Sequence, residues 1–207
     1  MKQIIKKMYY QTLKFIPFLN IIYRTRNNQA PVTLRILFFQ KVLGFNRKAY
    51  WPTHFTSTIS NPKNILIGFG SAPGYSPGCY IQGHGKIYIG NYVLIGPNVG
   101  IISANHNLEN TISHKEDSKV IINDYCWIGM NSVIMPNVEL GENTIIGAGS
   151  VVTKSFLDGN CVIAGNPAKI IKRLNKNNIK KWTSNFEGHG YLTKEKFKEY
   201  RIKKLNV

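Results

Sequence analysis

The sequence predicts a parallel β-helix, in which short strands wind as the faces of a prism. From residue 122 an aliphatic side chain recurs every six residues, a period that fits neither an α-helix nor a single alternating strand. Four residues after each aliphatic comes a small or branched side chain, which we expect to point inward where the prism is narrow. The aliphatic series is Ile122, Ile128, Ile134, Leu140, Ile146 and Val152, and the small series is Cys126, Ser132, Val138, Thr144 and Ser150.

The same register extends in both directions. Upstream it includes Ile89, Ile95 and Ile101, with an earlier copy expected at Ile67, and downstream it continues less regularly through Asp158, Ala164 and Ile170. Gly, Asn and Asp fall at the expected corners, where a positive φ is least costly for them. A β-sandwich with regular strands is the alternative, but it would not hold one register over six consecutive hexads.

A loop is expected to leave the helix at residues 104–119. The interval from Ile101 to Ile122 is 21 residues, which is not a multiple of six, so the chain cannot follow the faces throughout. This loop contains Asn105, His106 and the first acidic residue of the chain, Glu109. A polar loop on a regular scaffold is a common location for functional residues.

The flanks differ from the repeats and divide the chain into three segments. We expect an N-terminal helical or capping segment at 1–60, the β-helix at 61–174 and a basic C-terminal helical extension at 175–207. Helices are predicted at 2–16, at 32–43 and around 195–199. The expected C-terminal packing anchors are Trp182, Phe186, Tyr191, Phe197 and Tyr200.

Composition and charge limit the classes of function. The chain has 207 residues, 43% of them hydrophobic, and no uncharged apolar run long enough to span a membrane. Three distant cysteines form no CxxC pattern, which favours a reducing cytosol. The net charge is +17, with 12 basic and no acidic residues in 1–108. A positive charge of this size either attracts polyanions or only keeps the surface soluble. No nucleic-acid-binding motif accompanies it.

Five segments in a fixed order carry a family resemblance: the repeats from Ile89 to Val99, the His106 loop, WIG at 127–129, IGAGSVVTK at 146–154 and AGNPAK at 164–169. Over about residues 64–174 the chain resembles the hexapeptide-repeat acyltransferases, in the branch with galactoside, maltose and xenobiotic O-acetyltransferases. The resemblance implies a left-handed β-helix, a homotrimer with active sites between subunits, and acetyl-CoA as the acetyl donor, with no metal.

The resemblance also implies roles for individual residues. His106 matches the catalytic histidine, and a neutral imidazole suits removal of a hydroxyl proton. The donor-binding positions are Gly129, Met130, Ala148, Thr153, Lys154, Lys169 and Lys172, of which the lysines suit the phosphates of CoA. Trp127 is expected either to wall the acetyl pocket or to pack at a corner. An acyl-enzyme on Cys126 is the rival mechanism, although its place in the small series favours inert packing.

The acceptor side departs from the sugar-acetylating branches. Where those enzymes present an Asn and an Asp, ungapped counting places Ser76 and His84 here, and the stretch 71–78 is about two residues longer. Tyr75, Ser76, His84 and Asn105 are therefore acceptor candidates, without galactoside or maltose specificity. We expect an acetyl-CoA-dependent O-acetyltransferase acting on a sugar of a cell-surface polysaccharide or its precursor.

The long basic N-terminus resembles the capsule and lipopolysaccharide O-acetyltransferases of the same superfamily. An amphipathic basic helix over 2–16 either lies on the inner face of an anionic membrane or caps the end of the β-helix. The expected location is cytoplasmic, with peripheral membrane contact as one option.

Three other functions are weighed against this one. An amino-sugar N-acetyltransferase or an antibiotic acetyltransferase would use the same scaffold. A zinc hydratase would need three converging histidines, and the spacings among His84, His106 and His114 do not match that pattern. A non-enzymatic scaffold with basic ends would not account for the His106 loop and the IGAGSVVTK run.

Overall fold

Three parallel sheets form the faces of the molecule, in a computed structural model that describes residues 2–113 and 118–207. The first sheet has the order β1-β3-β6-β9-β12, the second β10-β7-β4-β2 and the third β14-β13-β11-β8-β5. All neighbours pair in parallel except β13 and β14, which pair antiparallel. The chain therefore visits the sheets in rotation, and the prediction of parallel strands stacked in coils is confirmed.

The strands are short, because each face of a coil contributes only a few residues before the chain turns. Their bounds are β1 Thr58–Ser60, β2 Ile65–Ile67, β3 Tyr80–Gln82, β4 Lys86–Ile89, β5 Leu94–Ile95, β6 Gly100–Ile102, β7 Lys119–Ile122, β8 Trp127–Ile128, β9 Val133–Ile134, β10 Glu139–Leu140, β11 Thr144–Ile146, β12 Val151–Val152, β13 Cys161–Gly165 and β14 Ala168–Arg173. A hairpin of β15 Gly188–His189 and β16 Leu192–Thr193 lies outside the coils.

The hexad pattern predicts the core. Every member of the aliphatic series from Ile122 to Val152 is buried, and so is every member of the small series. Val133 pairs with Val151, so one coil takes 18 residues, or three hexads. Asn131, Asn137 and Asn143, six residues apart, all have positive φ at the corners. Stacked aliphatic side chains thus fill the interior along the whole prism.

The predicted register is wrong after Val152. Ile146 pairs with Ile163, not Ala164, so this coil is one residue shorter than the one above it. Ile163 is fully buried, whereas Ile170 is exposed on β14 and the Asp158 side chain is 80% exposed. The physical reason is that burial of an aliphatic side chain takes precedence over exact spacing once the repeat weakens.

The N-terminal helices form a small cluster of their own. Helix α1 spans Lys2–Phe15, α2 spans Asn20–Thr25, and α3, at Leu34–Leu37, continues into a π-helical turn at Phe38–Val42. Helix α2 is absent from the sequence-based prediction, which has a single helix at 32–43 where the structure has α3 and a π turn. Leu13, Ile22 and Val32 are the buried centre of this cluster, separate from the core of the coils.

The C-terminal segment covers the first coils. Helix α4 spans Lys194–Lys204, as predicted around 195–199. Its Phe197 and Tyr200 rings lie 5.7 and 5.1 Å from the ring of Tyr50, which belongs to the core. The Nδ1 atom of His189 donates to the carbonyl of Ile67 at 2.6 Å. Helix α1 packs on α2, and capping of the β-helix by helix 2–16 stays a prediction.

Candidate active site

Hydrogen bonds from two side chains hold the residues at the start of the His106 loop. The Oγ of Ser103 donates to the carbonyl of Gln82 and accepts the backbone N–H of Gly85 at 2.9 Å. The side-chain oxygen of Gln82 accepts the backbone N–H of Ala104 at 3.1 Å. Ser103 and Ala104 are buried, whereas His106 is exposed. The protein thus presents an exposed imidazole two residues beyond a rigid, buried anchor.

The loop keeps its shape by local hydrogen bonds. The N–H of Asn107 donates to the carbonyl of Ser113 at 2.9 Å, and the side-chain oxygen of Asn107 accepts the N–H of Glu109 at 2.9 Å. Asn105 is exposed beside His106. Leu108 is 86% exposed, so the far part of the loop projects from the coils. The remaining loop residues from 114 to 117, which include His114, lie outside the described residues.

His84 lies on the coil before His106, at the same corner of the prism. Gln82 pairs with Ile102, so the turn that carries His84 and the loop that carries His106 follow equivalent strand ends. We call this corner, between the first and second sheets, the 1–2 corner. The Nδ1 of His84 lies 3.3 Å from the Nδ2 of Asn61.

A cavity of about 390 Å³ adjoins this corner. It is lined by Asn64, His84, Gly85, Lys86, Tyr88, Ser118 and Lys119. Lys86 and Lys119 pair in register on β4 and β7. The cavity therefore combines an imidazole, a phenol and two ammonium groups next to the exit of the loop.

Tyr75 and Ser76 lie at a different corner. The Ser76 hydroxyl donates to the carbonyl of Ile95 at 2.6 Å, on the third sheet, and the Tyr75 hydroxyl donates to the carbonyl of Pro31 at 3.0 Å. We call this corner, between the third and first sheets, the 3–1 corner. Within one chain the structure therefore does not bring these two residues together with His84 and His106.

The candidate donor residues are also divided between the two corners. Gly129, Met130 and Ala148 follow β8 and β11 at the 3–1 corner, where the N–H of Gly149 donates to the carbonyl of Met130 at 2.9 Å. Thr153 and Lys154 follow β12 at the 1–2 corner. Each corner therefore carries only part of the candidate site.

The third sheet carries the remaining candidates. The Trp127 side chain is 52% exposed on β8, so it does not pack inside the corner. Lys169 and Lys172 are exposed on β14. Among the ion pairs of the described residues, none uses Lys154, Lys169 or Lys172. These three cations are thus available to an external anion.

Cys126 is placed as an inert core residue. It is 1% exposed and its Sγ donates to the carbonyl of Gly141 at 3.3 Å. Burial raises the pKa of this thiol to about 12. Because the thiolate is the nucleophilic form, Cys126 is poorly suited to an acyl-enzyme.

Two properties of the described residues bear on alternative functions. In the ranges 2–113 and 118–207, no cluster of three or more His, Cys, Asp or Glu side chains could hold a metal ion. No helix in these ranges is long and apolar enough to cross a membrane.

Sequence reasoning missed Gln82 and Ser103, which hold the loop. The hexad pattern treats them only as strand-end polar residues. Their position was the available signal. Gln82 is the last residue of β3 and Ser103 directly follows β6, one coil later, and they precede His84 and His106.

Comparison with known proteins identifies the repeats. Residues 119–154 match the family model described as bacterial transferase hexapeptide (six repeats). A galactoside O-acetyltransferase of Lactococcus lactis is 36% identical over 45% of this chain and 46% of its own length. A putative lipopolysaccharide biosynthesis O-acetyl transferase, WbbJ of Escherichia coli, is 35% identical over 44% of this chain and 52% of its own. The chain spans about half the length of the curated relatives it matches.

A solved structure of a hexapeptide-repeat acetyltransferase resembles this chain. The hexapeptide-repeat acetyltransferase VCA0836 of Vibrio cholerae, complexed with acetyl-CoA, superposes with a TM-score of 0.51 at 25% sequence identity. The match covers 66% of this chain and 78% of that one.

Proposed function

We propose that this chain is a hexapeptide-repeat transferase that moves an acetyl group from acetyl-CoA to a sugar hydroxyl of a cell-surface polysaccharide or its precursor. The observation that carries the proposal is the exposed His106, held just beyond the anchor made by Gln82 and Ser103. The relatives named as O-acetyltransferases support the choice of reaction.

The chemistry assigned to His106 is general-base catalysis. The acceptor hydroxyl oxygen attacks the thioester carbonyl carbon, and its proton passes to the imidazole of His106. Collapse of the tetrahedral intermediate breaks the carbon–sulfur bond and releases CoA, whose sulfur takes up that proton. Such proton transfer typically contributes about 10²–10⁴-fold to the rate.

The division of residues between two corners favours an active site shared by two copies of the chain. We propose a left-handed β-helix that trimerises, so that the 1–2 corner of one copy faces the 3–1 corner of the next. The first corner would supply His84, His106 and Lys154, and the second would supply Met130 and Ala148. A single copy lacks this combination because the two corners lie on different edges of the prism.

The residues present suit acetyl-CoA as the donor. Ala148 is exposed, and a Cβ placed on Gly149 would meet no atom within 4 Å, so an open strip runs along this edge. Thr153, Lys154, Lys169 and Lys172 would hold the polar groups of the donor, because phosphates are bound well by ammonium groups. Trp127 would lie against the acetyl end.

The proposal is tested by acetyl-CoA-dependent release of thiol across sugars, nucleotide-sugars and surface-glycan fragments. His106→Ala should lower kcat by about 10²–10⁴-fold and leave CoA binding, measured by calorimetry, intact. Leu108→Ala is the matched control, because it changes an exposed side chain of the same loop. Equal turnover of wild type and His106→Ala would remove His106 as the base. Turnover of amines alone would favour the N-acetyltransferase alternative.

We further propose that the N-terminal helices contact an anionic lipid surface at the inner face of the membrane. Ile4, Met8 and Phe15 of α1 are 65%, 66% and 79% exposed on one side of the helix. Nearby, a mainly apolar groove of about 600 Å³ is lined by Pro17, Phe18, Leu19, Ile21, Leu34, Leu37, Phe38, Lys41, Val42 and Tyr191. Residues 1–108 contain 12 basic and no acidic residues, which complements anionic headgroups.

Vesicle co-sedimentation tests this contact. The chain should bind phosphatidylglycerol-containing vesicles, bind phosphatidylcholine vesicles weakly, and dissociate as salt is raised. Phe18→Ser with Phe38→Ser should weaken binding, whereas Leu157→Ser, an exposed apolar residue beyond β12, should not. Unchanged vesicle binding by the double variant would contradict the proposal. A change only in its oligomeric mass would also contradict it, by showing that a second copy covers the groove.

A further inference from the structure

A second cavity lies between the N-terminal helical segment and the turn before β3. It has a volume of about 430 Å³, within the range of small-molecule sites. Among its lining residues are Arg35, Phe39, His54, Phe55, Tyr75 and Ser76. None of these residues except Tyr75 and Ser76 has a role in the proposed transfer reaction.

The buried Thr53 hydroxyl in the wall of this cavity lacks a partner. Thr53 is 2% exposed, and its Oγ1 is the one buried side-chain polar atom among the described residues without a hydrogen bond. The backbone N–H of Thr53, in contrast, donates to the side chain of Gln40 at 3.3 Å. The Oγ1 atom is closed to solvent, so Thr53 lines the cavity without offering its hydroxyl to a ligand.

Arg35 supplies an unmatched positive charge at the same cavity. Its guanidinium lies 5.4 Å from the ring of Phe55 and 5.9 Å from the ring of Phe39, and no ion pair among the described residues includes it. No acidic residue occurs in 1–108, so this part of the sequence offers no carboxylate to neutralise it. A guanidinium binds carboxylates and phosphates through paired hydrogen bonds.

His54 and the aromatic rings complete the wall. The Nδ1 of His54 accepts the backbone N–H of Thr56 at 3.2 Å, which assigns the ring proton to Nε2 and leaves that atom as a donor. Burial and the charge of Arg35 lower the pKa of His54, which favours the neutral ring. The rings of Phe39 and Phe55 stack at 4.3 Å and form an apolar surface beside these polar groups.

We propose that this cavity binds a sugar that bears an oxyanion, a carboxylate or a phosphate, with Arg35 on the anion, His54 on a hydroxyl group, and Phe39 and Phe55 beneath the apolar face of the ring. The inference rests on the proposed function only where it identifies the bound sugar as the acceptor. Binding of the sugar in the cavity does not depend on that function. Ser76, an acceptor candidate, lines the same cavity.

Direct binding tests the inference without requiring turnover. Ligand-observed NMR and calorimetry on the full chain would compare glucuronic acid and glucose 1-phosphate with uncharged glucose, and CoA binding would be measured in the same samples. Either anionic sugar should bind more tightly than glucose, and the stronger of the two identifies the oxyanion. Arg35→Gln should weaken that binding about tenfold to a hundredfold, the range for a lost charge-assisted contact. Thr53→Val should leave it unchanged, because the Thr53 hydroxyl is closed to the cavity.

Lys63→Gln is the matched control, since it removes an exposed charge that does not line the cavity. Equal binding of glucose and the anionic sugars, or an unaffected Arg35→Gln variant, would overturn the inference. So would absence of sugar binding together with a changed oligomeric mass for Arg35→Gln, which would show that a second copy fills the cavity. Loss of CoA binding alone would count against the transferase and not against the cavity.

Discussion

The side-chain oxygen of Gln82 accepts the backbone N–H of Ala104 at 3.1 Å and so ties the His106 loop to the preceding coil. Both residues are buried, and they lie beside the corner that carries His84. The bond is not part of the regular ladder, because it joins a side chain to the first residues beyond β6. The position of His106 therefore depends on a contact one coil away.

Removing this bond should lower catalysis more than it lowers substrate binding. Gln82→Met keeps the side-chain length but leaves a buried N–H unpaired, so we expect a loss of about 1–3 kcal/mol in the free energy of unfolding. The misplaced loop should lower kcat by about tenfold or more, with little change in KM for acetyl-CoA. Steady-state kinetics and chemical denaturation measure the two effects.

Gln82→Glu provides the comparison, since it retains an acceptor oxygen and should recover part of kcat. A Gln82→Met variant that loses stability but keeps kcat would show that Gln82 only stabilises the fold.

The three cysteines should not react in the native state. Cys79, Cys126 and Cys161 are each 1% exposed, and burial raises the pKa of all three thiols. An aromatic disulfide reagent at pH 8 should therefore label none of them until denaturant is added, when it should label three. Cys126→Ala should keep turnover near the wild-type value, and inactivation by that substitution with the fold intact would restore the acyl-enzyme mechanism.

Stability should fall as the pH drops from 7 towards 5, through His189. Burial lowers the pKa of this ring, and Arg201 and Lys194 lower it further, against the opposing effect of its hydrogen bond to Ile67. Because the folded-state pKa lies below the unfolded value near 6.5, protonation favours the unfolded chain. Stability is complete above the unfolded pKa and declines as the pH falls towards the folded one.

Urea denaturation at pH 7.5 and at 5.5 would measure this effect. His189→Gln removes the titrating group and should flatten the pH dependence in this range. An equally steep dependence in that variant would assign the effect to other groups, such as His54, whose pKa is also lowered.

Two glycines should respond differently to substitution, because different constraints act on them. A Cβ on Gly68 would lie 2.5 Å from the backbone of Gly90 on the next coil, so Gly68→Ala should force the coils apart and destabilise severely. Gly149 has φ +69 with no atom near its Cβ position, so Gly149→Ala should cost about 1–2 kcal/mol of strain. Thermal unfolding compares the two variants.

Gly149→Asn should be milder than Gly149→Ala. Asn131, Asn137 and Asn143 adopt the same positive φ at equivalent corners, and Asn tolerates this conformation. If Gly149→Asn were as damaging as Gly68→Ala, space and not backbone conformation would be limiting at Gly149.

Much of the fold follows from local pattern, but the candidate site follows only in part. The six-residue period predicts which side chains face inward, and the break after Ile101 predicts the loop, since both depend on residues close in sequence. Ser76 and His84 lie at different corners because β3 separates them, so they do not meet within one chain. Counting along the sequence cannot show whether two copies bring these corners together.

The repeating coil follows from local sequence, because each hexad specifies one face through its own aliphatic and small residues. The covering of the ends and the meeting of polar groups depend on the folded chain. Phe197 packs against Tyr50, and His54 lines a cavity with Arg35, through contacts between segments far apart in the chain or joined by irregular turns. The chemical type of a side chain indicates that it will be buried or paired. Which residue becomes its partner depends on the three-dimensional path of the chain.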